Sequence, residues 1–258
     1  MSKKGNYFAY IANTLVSWGY KRGKNLVGAP FDWRKSPLEL LDFYATLKSL
    51  IQRVYYYNHE TPVVILGHSM GNPVMNYFYH KYVDAEWKKQ FIKSHISLAG
   101  AWGGSLQIVK LFASGYNMDY FRMNFFAITA EKNYSAHNVK EFFADIDYRV
   151  GLEQYNLANP TLILESPGVE THCIYGSKVN TPESFTWAKG YFPNYQPSIT
   201  FGDGDGTVNI RSLKVCESWK DNNNGFNVSS SQLDGADHMS ILRDPRTVNL
   251  LRNILYGK

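Results

Sequence analysis

Cysteine is scarce in this chain: Cys173 and Cys216 are the only two, enough for one disulfide or two free thiols and for no larger framework. Long apolar runs are missing as well. No stretch approaches the roughly 20 consecutive residues that a helix needs to cross a bilayer, so a transmembrane anchor is not expected. Lysine and arginine never run beyond a few residues and do not interleave into a nucleic-acid motif, which argues against DNA or RNA as a partner. No internal repeat is visible, and Asn222-Asn223-Asn224 is the only low-complexity patch. Met1-Ser2-Lys3-Lys4-Gly5-Asn6 begins basic but is not followed by an apolar segment, so the chain as given shows no signal peptide.

What is present suits one α/β domain. The 258 residues are 44% apolar and 16% aromatic, enough for a sizeable core. A net charge of +5 and a pI near 9.0 read as general attraction to anionic surfaces, lipid head groups included. Two glycosylation sequons, at Asn133 and Asn227, join the even cysteine count in leaning towards the secretory pathway. That leaning conflicts with the missing signal peptide.

The most informative stretch is Val63-Val64-Ile65-Leu66-Gly67-His68-Ser69-Met70-Gly71-Asn72. An apolar strand runs into Gly-x-Ser-x-Gly and then into residues that can start a helix, the pattern of a nucleophile elbow. The sharp turn lifts the serine hydroxyl to the carboxyl edge of a sheet, and Gly67 and Gly71 are expected to relieve the crowding it creates. The backbone N–H of Met70 is then one expected oxyanion donor.

Around this motif, strands and helices alternate. Phe8, Ile11, Leu15 and Trp18 predict an amphipathic helix over 6–18, and Leu26-Val27-Gly28 predicts a short strand. Ser36-Pro37-Leu38-Glu39 is a capping box opening a helix that runs to about Tyr57. Further strands are expected at Ile96–Leu98, Cys173–Tyr175, Ile199–Phe201 and 226–230. Helices are expected through Val74–Tyr82, Asn138–Tyr148 and Val215–Trp219, with a last one capped by Asp244-Pro245. Such alternation implies a mostly parallel sheet covered on both faces. The rhythm fails over residues 116–166, which read as a cap inserted between core halves 1–115 and 167–258. The aromatic group from Tyr116 to Phe126 reads more as packing than as lipid contact. Trp102, on a loop after a strand, is expected to line the site.

A serine hydroxyl needs an imidazole to take its proton, and the imidazole needs a carboxylate to orient it. In the elbow fold these follow in the order Ser, Asp or Glu, His. Of seven histidines, only His238 follows the acidic loop, between the last strand and the last helix. The acid belongs after a strand, where Gly202-Asp203-Gly204-Asp205-Gly206 offers two candidates that sequence chemistry barely separates. A calcium loop is discounted there, because the twelve-residue spacing and terminal Glu of an EF-hand are lacking.

With these parts in hand, the chain resembles the lecithin:cholesterol acyltransferase family, and within it the lysosomal phospholipase branch. The shared stretches are Ser17-Trp18-Gly19-Tyr20 with Arg22-Gly23, Gly28-Ala29-Pro30-Phe31-Asp32-Trp33-Arg34, His68-Ser69-Met70-Gly71-Asn72, Trp102-Gly103-Gly104, Tyr175-Gly176, Thr181-Pro182-Glu183-Ser184-Phe185 and the Gly202–Val208 loop. The resemblance covers nearly the whole chain. It implies an α/β-hydrolase fold, with Ser69 as nucleophile, Asp205 as acid, His238 as base and a Cys173–Cys216 disulfide. It further implies acyl transfer from a phospholipid, at a membrane or lipoprotein surface, to water or a lipophilic alcohol. No metal or organic cofactor is implied, membrane contact would be peripheral, and the compartment would be lysosomal or extracellular.

Two departures accompany the resemblance. The family's N-terminal portion, with a Pro-Gly loop and a small disulfide-closed lid, finds no counterpart, so the chain reads as N-terminally truncated. Losing an oxyanion donor costs about 10²–10³ in rate, and losing a strand bares a sheet edge. The alternative expectation is therefore an impaired, lipid-associating family member. The stretch between Phe126 and Tyr134 also looks short for the family.

Overall fold

Helical spacing of Ile11 and Leu15 gives α1 (Ala9–Ser17), which buries both side chains. The computed structural model describes residues 7–114, 133–135, 137–192, 195–221 and 225–257, without the side chains of 112–114. The capping box at Ser36 forms, with Glu39 Oε2 accepting from the Ser36 N–H and hydroxyl, each at 2.9 Å. It caps only a short 3₁₀ turn, Pro37–Glu39. The long helix α2 (Leu41–Tyr57) starts afresh beyond Leu40 and buries Tyr44, Leu47, Ile51 and Tyr55 along one face.

β1 (Val63–His68) follows, then α3 (Gly71–Lys81), α4 (Ala85–Phe91), β2 (Ile92–Leu98) and α5 (Gln107–Ser114). After α6 (Val139–Asp145) and α7 (Arg149–Ala158) come β3 (Thr171–Ser177), β4 (Thr181–Thr186) and β5 (Ser198–Gly202). The short α8 (Ile210–Leu213) passes into a 3₁₀ turn, Lys214–Trp219, before β6 (Val228–Asp234) and α9 (Pro245–Tyr256). Asp244 caps α9 by accepting from the Arg246 N–H, with proline at the first helical position.

Four strands form a parallel sheet in the order β1-β2-β3-β6. Period-two alternation along β1 sends Val64 and Leu66 to one apolar layer and Val63 and Ile65 to the other. The first layer is closed by Ile11 and Leu15 of α1 and Leu251 of α9; the second by α2, α3 and α4 through Tyr44, Phe78, Trp87 and Phe91. Helices thus cover both faces, the α/β-hydrolase arrangement. Phe142 and Phe143 of α6 sit in a separate small cluster with Val109, Trp187 and Phe192.

Three expectations need correction. No sheet strand forms at Leu26-Val27-Gly28: the chain from Lys21 to Leu26 closes on itself through Leu26 N–H to Lys21 O and Gly23 N–H to Leu26 O. Among the described residues β1 is consequently an edge strand. Second, Ile199–Phe201 lies outside the parallel sheet; β5 pairs antiparallel with β4 as a separate ribbon. Third, Trp102 does not line an open site. It is buried edge-to-face against Trp219 (4.8 Å between ring centres), in a cluster with Cys173 and Cys216, because so large an apolar ring is worth more inside than at a rim. The aromatic group Tyr116–Phe126 and the stretch from Phe126 to 132 lie outside the described residues.

Candidate active site

The turn between β1 and α3 puts Ser69 at φ +52°, a left-handed conformation unusual for a side-chain-bearing residue. The carbonyl of Ser69 is held by the Asn72 N–H (3.1 Å), the Asn72 Nδ2 amide (3.0 Å) and the Ala101 N–H (3.4 Å), while its own N–H donates to Leu98 O. Gly67 is required by this arrangement, since a Cβ there would stand 2.3 Å from Asn72 Oδ1. Gly71 is not: its nearest neighbour would be Phe31 at 3.9 Å. Only the first glycine of the motif relieves a clash. Met70 follows the serine at the N-cap of α3, so its N–H stands at a helix N-terminus, where partial positive charge gathers.

Beneath the turn, His95 of β2 supports Asn72. Its Nε2–H donates to Asn72 Oδ1 at 3.0 Å, and its Nδ1 takes the Tyr79 hydroxyl at 3.3 Å. All three side chains are buried. Burial pushes the His95 pKa down to about 3, with His172 adding to the effect, so the ring is neutral at ordinary pH.

Asp205 and Asp203 part company on geometry. Asp203 Oδ1 accepts from the Lys178 N–H at 2.6 Å, which ties the acidic loop to the turn after β3. Asp205 is fully buried; its Oδ1 accepts from the Thr207 and Val208 N–H groups at 3.0 and 2.7 Å, leaving Oδ2 for His238. Gly204 and Gly176 make room for this packing. A Cβ on Gly204 would meet Val208 O at 2.4 Å, and one on Gly176 would meet Ala236 O at 1.9 Å, blocking the loop that carries His238.

That loop turns at Gly235, and Asp237 caps its short 3₁₀ segment by accepting from the Met239 and Ser240 N–H groups. His238 Nδ1 then lies 2.7 Å from Asp205 Oδ2, and His238 Nε2 lies 2.8 Å from Ser69 Oγ. A carboxylate can only accept, so Nδ1 carries the hydrogen and Nε2 is free to take the serine proton. The His238 backbone is pinned too, its N–H donating to Asp205 O at 2.8 Å. Hydroxyl, imidazole and carboxylate from three distant segments thus form one continuous hydrogen-bonded chain.

Set against this geometry, the similarity to known proteins is direct. The lecithin:cholesterol acyltransferase family profile matches residues 1–146 and 144–245. The chain belongs to this family. Rat lysosomal phospholipase A and acyltransferase is 34% identical over 97% of the chain and 67% of its own length. The human protein of that name is 33% identical over 99% of the chain and 68% of its own. Chicken phosphatidylcholine-sterol acyltransferase is 31% identical over 96% of the chain and 67% of its own length. The chain therefore spans about two thirds of the curated relatives it matches.

Elsewhere, Cys173 and Cys216 are joined by a disulfide with Cα atoms 6.6 Å apart, tying β3 to the 3₁₀ turn after α8. Asn133 and Asn227 are both exposed. Asp32 and Arg34 form a local surface ion pair, remote from any role in the hydrogen-bonded chain. Among the described residues no group of acidic, histidine or cysteine side chains could hold a metal ion, and no helix is long and apolar enough to cross a membrane. Of the support residues, Tyr79 and His95 stand in no stretch that the sequence singles out, whereas Asn72 and Gly176 stand in stretches shared with the family but show no role until the packing around them is seen.

Proposed function

We propose that this chain is a serine-dependent phospholipid acyl hydrolase and O-acyltransferase. The observation that carries the reading is the unbroken chain Asp205–His238–Ser69, set on a turn in which Ser69 takes a left-handed conformation. Ser69 Oγ attacks the acyl carbonyl while His238 Nε2 takes its proton, and Asp205 holds the imidazole in the required tautomer and stabilises the imidazolium. The developing oxyanion is met by the Met70 N–H. Collapse breaks the ester bond, and His238 returns the proton to the departing lysophospholipid hydroxyl. The acyl-serine is then attacked by water or a lipophilic alcohol, whose proton passes to His238 and back to Ser69 Oγ.

A lipid surface as the site of action is supported by exposed apolar side chains. Trp33, Leu38 and Leu41 stay exposed ahead of and at the start of α2, and α7, with exposed Val150 and Leu157, lies against the same turn. Together with the charge of +5 they suit peripheral contact with anionic phospholipid. We read residues 116–166 as a cap over the core halves, consistent with the separate Phe142–Phe143 cluster. Residence in the lysosome or outside the cell, with glycans on exposed Asn133 and Asn227, fits the disulfide and the names of the relatives.

The test is turnover of phospholipid liposomes containing a long-chain alcohol. Free fatty acid and acylated alcohol should both form and both vanish in Ser69→Ala. Equal or greater turnover of triacylglycerol would contradict the substrate class, and no turnover by the folded protein would favour an impaired, lipid-binding role.

A further inference from the structure

His68 stands one residue before the serine, in the variable position of the elbow motif, and nothing in the chemistry above uses it. It is nonetheless buried, and both ring nitrogens are engaged. Nε2 lies 2.8 Å from the backbone carbonyl of His238, and Nδ1 lies 2.5 Å from the Tyr7 hydroxyl. A carbonyl has no hydrogen to give, so Nε2–H is the donor and Nδ1 the acceptor of the Tyr7 O–H. The ring is boxed by Tyr7 and Phe8 in edge-on contacts and by the His238 ring, with centroids 4.9 Å away.

We propose that His68 is a positioning residue for the base: its Nε2–H fixes the peptide carbonyl of His238, and Tyr7 fixes the tautomer of His68 that can do so. This rests on His238 being the base. The His238 loop is then clamped from two sides, by Asp205 O on the peptide N–H and by His68 on the peptide C=O. The clamp needs a neutral His68 with its hydrogen on Nε2. Burial, and then the neighbouring His238, hold its pKa down to about 4, while Asp205 and the His238 carbonyl work weakly the other way. Tyr7, whose own pKa burial raises, stays a hydroxyl donor. Besides Tyr7, the groups that bear on this ring electrostatically are His238 and Asp205.

The proposal separates three variants. His68→Gln can still offer an N–H to the carbonyl, whereas His68→Leu fills space but offers none, and Tyr7→Phe removes only the lock on the tautomer. Misplacing the base by a fraction of an ångström should cost His68→Leu about 10–100-fold in kcat with KM little changed. Tyr7→Phe should lose about threefold to tenfold, and His68→Gln should recover to within about threefold of the parent, each a lost or kept hydrogen bond. The second readout does not depend on turnover: the proton NMR signal of His238 Nδ1–H. It should shift or broaden in His68→Leu at a pH where the parent is sharp, and return in His68→Gln. If the parent turns over no lipid, the function proposed above fails while this signal still tests the clamp. A Leu variant with unaltered kcat and an unaltered His238 signal would overturn the proposal, as would a Gln variant as damaged as the Leu variant.

Discussion

Asp203 and Asp205 carry the same group two positions apart, yet their surroundings ask different things of them. Asp205 faces His238 from a buried site, so Asp205→Asn should lower kcat by about 10⁴ while leaving the fold intact, the loss expected when an orienting carboxylate becomes an amide. Asp203→Asn should keep most of the activity and show its effect as a lower melting temperature, because Asp203 ties a loop to the Lys178 N–H. Crippled turnover in Asp203→Asn with a healthy Asp205→Asn would reverse the assignment. A second residue-scale expectation concerns acid. His68 and His95 are held neutral in the fold, with pKa values lowered from 6.5 to about 4 and about 3, mainly by burial. The unfolded chain binds protons at both sites below about pH 6.5 and the folded chain does not. Their contribution to stability is complete above pH 6.5 and is lost as pH falls towards about 4 for His68 and about 3 for His95. Between pH 6.5 and 5 each should cost about 2 kcal/mol, at about 1.4 kcal/mol per unit. Urea unfolding at pH 7 and pH 5 should therefore show a gap that narrows in His95→Gln; an unchanged gap would show that His95 does not titrate on unfolding. The sequence carries no signal for this pair. Their neutrality comes from what is packed around them, and that is a property of the fold.

At the scale of elements, the turn after β1 gives the sharpest contrast. A Cβ on Gly67 collides with the buried Asn72 amide, which is itself held by His95, so nothing nearby can yield cheaply. Gly67→Ala should cost about 1–3 kcal/mol, as overpacking does. Gly71→Ala, with open space and a helical position, should leave stability unchanged or raise it by about 0.5–1 kcal/mol. Thermal melts of the two variants decide; equal losses would refute the steric account. The elbow is legible in sequence because its demands are local: an apolar run, a small residue, a serine, a helix start. The acid between Asp203 and Asp205 is not, since long-range contact with the His238 loop through Gly176 separates them. The strand expected at Leu26 fails for a related reason. Three apolar-to-small residues satisfy strand propensity, but the turn Lys21–Leu26 satisfies its own backbone and leaves little to pair. β4 goes unread because Pro182 argues against a strand, which a two-stranded ribbon tolerates.

For the whole molecule, family membership and the order of the three segments agree, although the chain spans only about two thirds of its relatives. The parallel sheet delivers Ser69 and the His238 loop to one edge, and the acidic loop, carried by the separate β4–β5 ribbon, meets them there. Packing of α1 and α9 on one face and α2, α3 and α4 on the other keeps that edge in register. The stretch 116–166, proposed above as a cap, is the least legible part of the sequence, since aromatic residues serve core, lid and lipid contact alike, and no period distinguishes the three uses. The most direct measurement is therefore made on the serine itself: intact-mass and peptide mapping of the folded chain after treatment with a fluorophosphonate. One adduct on Ser69 is expected, formed at least a hundredfold more slowly in His238→Ala, in keeping with the loss of a general base, worth about 10²–10⁴. A folded protein whose Ser69 stays unlabelled, or labels equally fast without His238, would contradict the central claim.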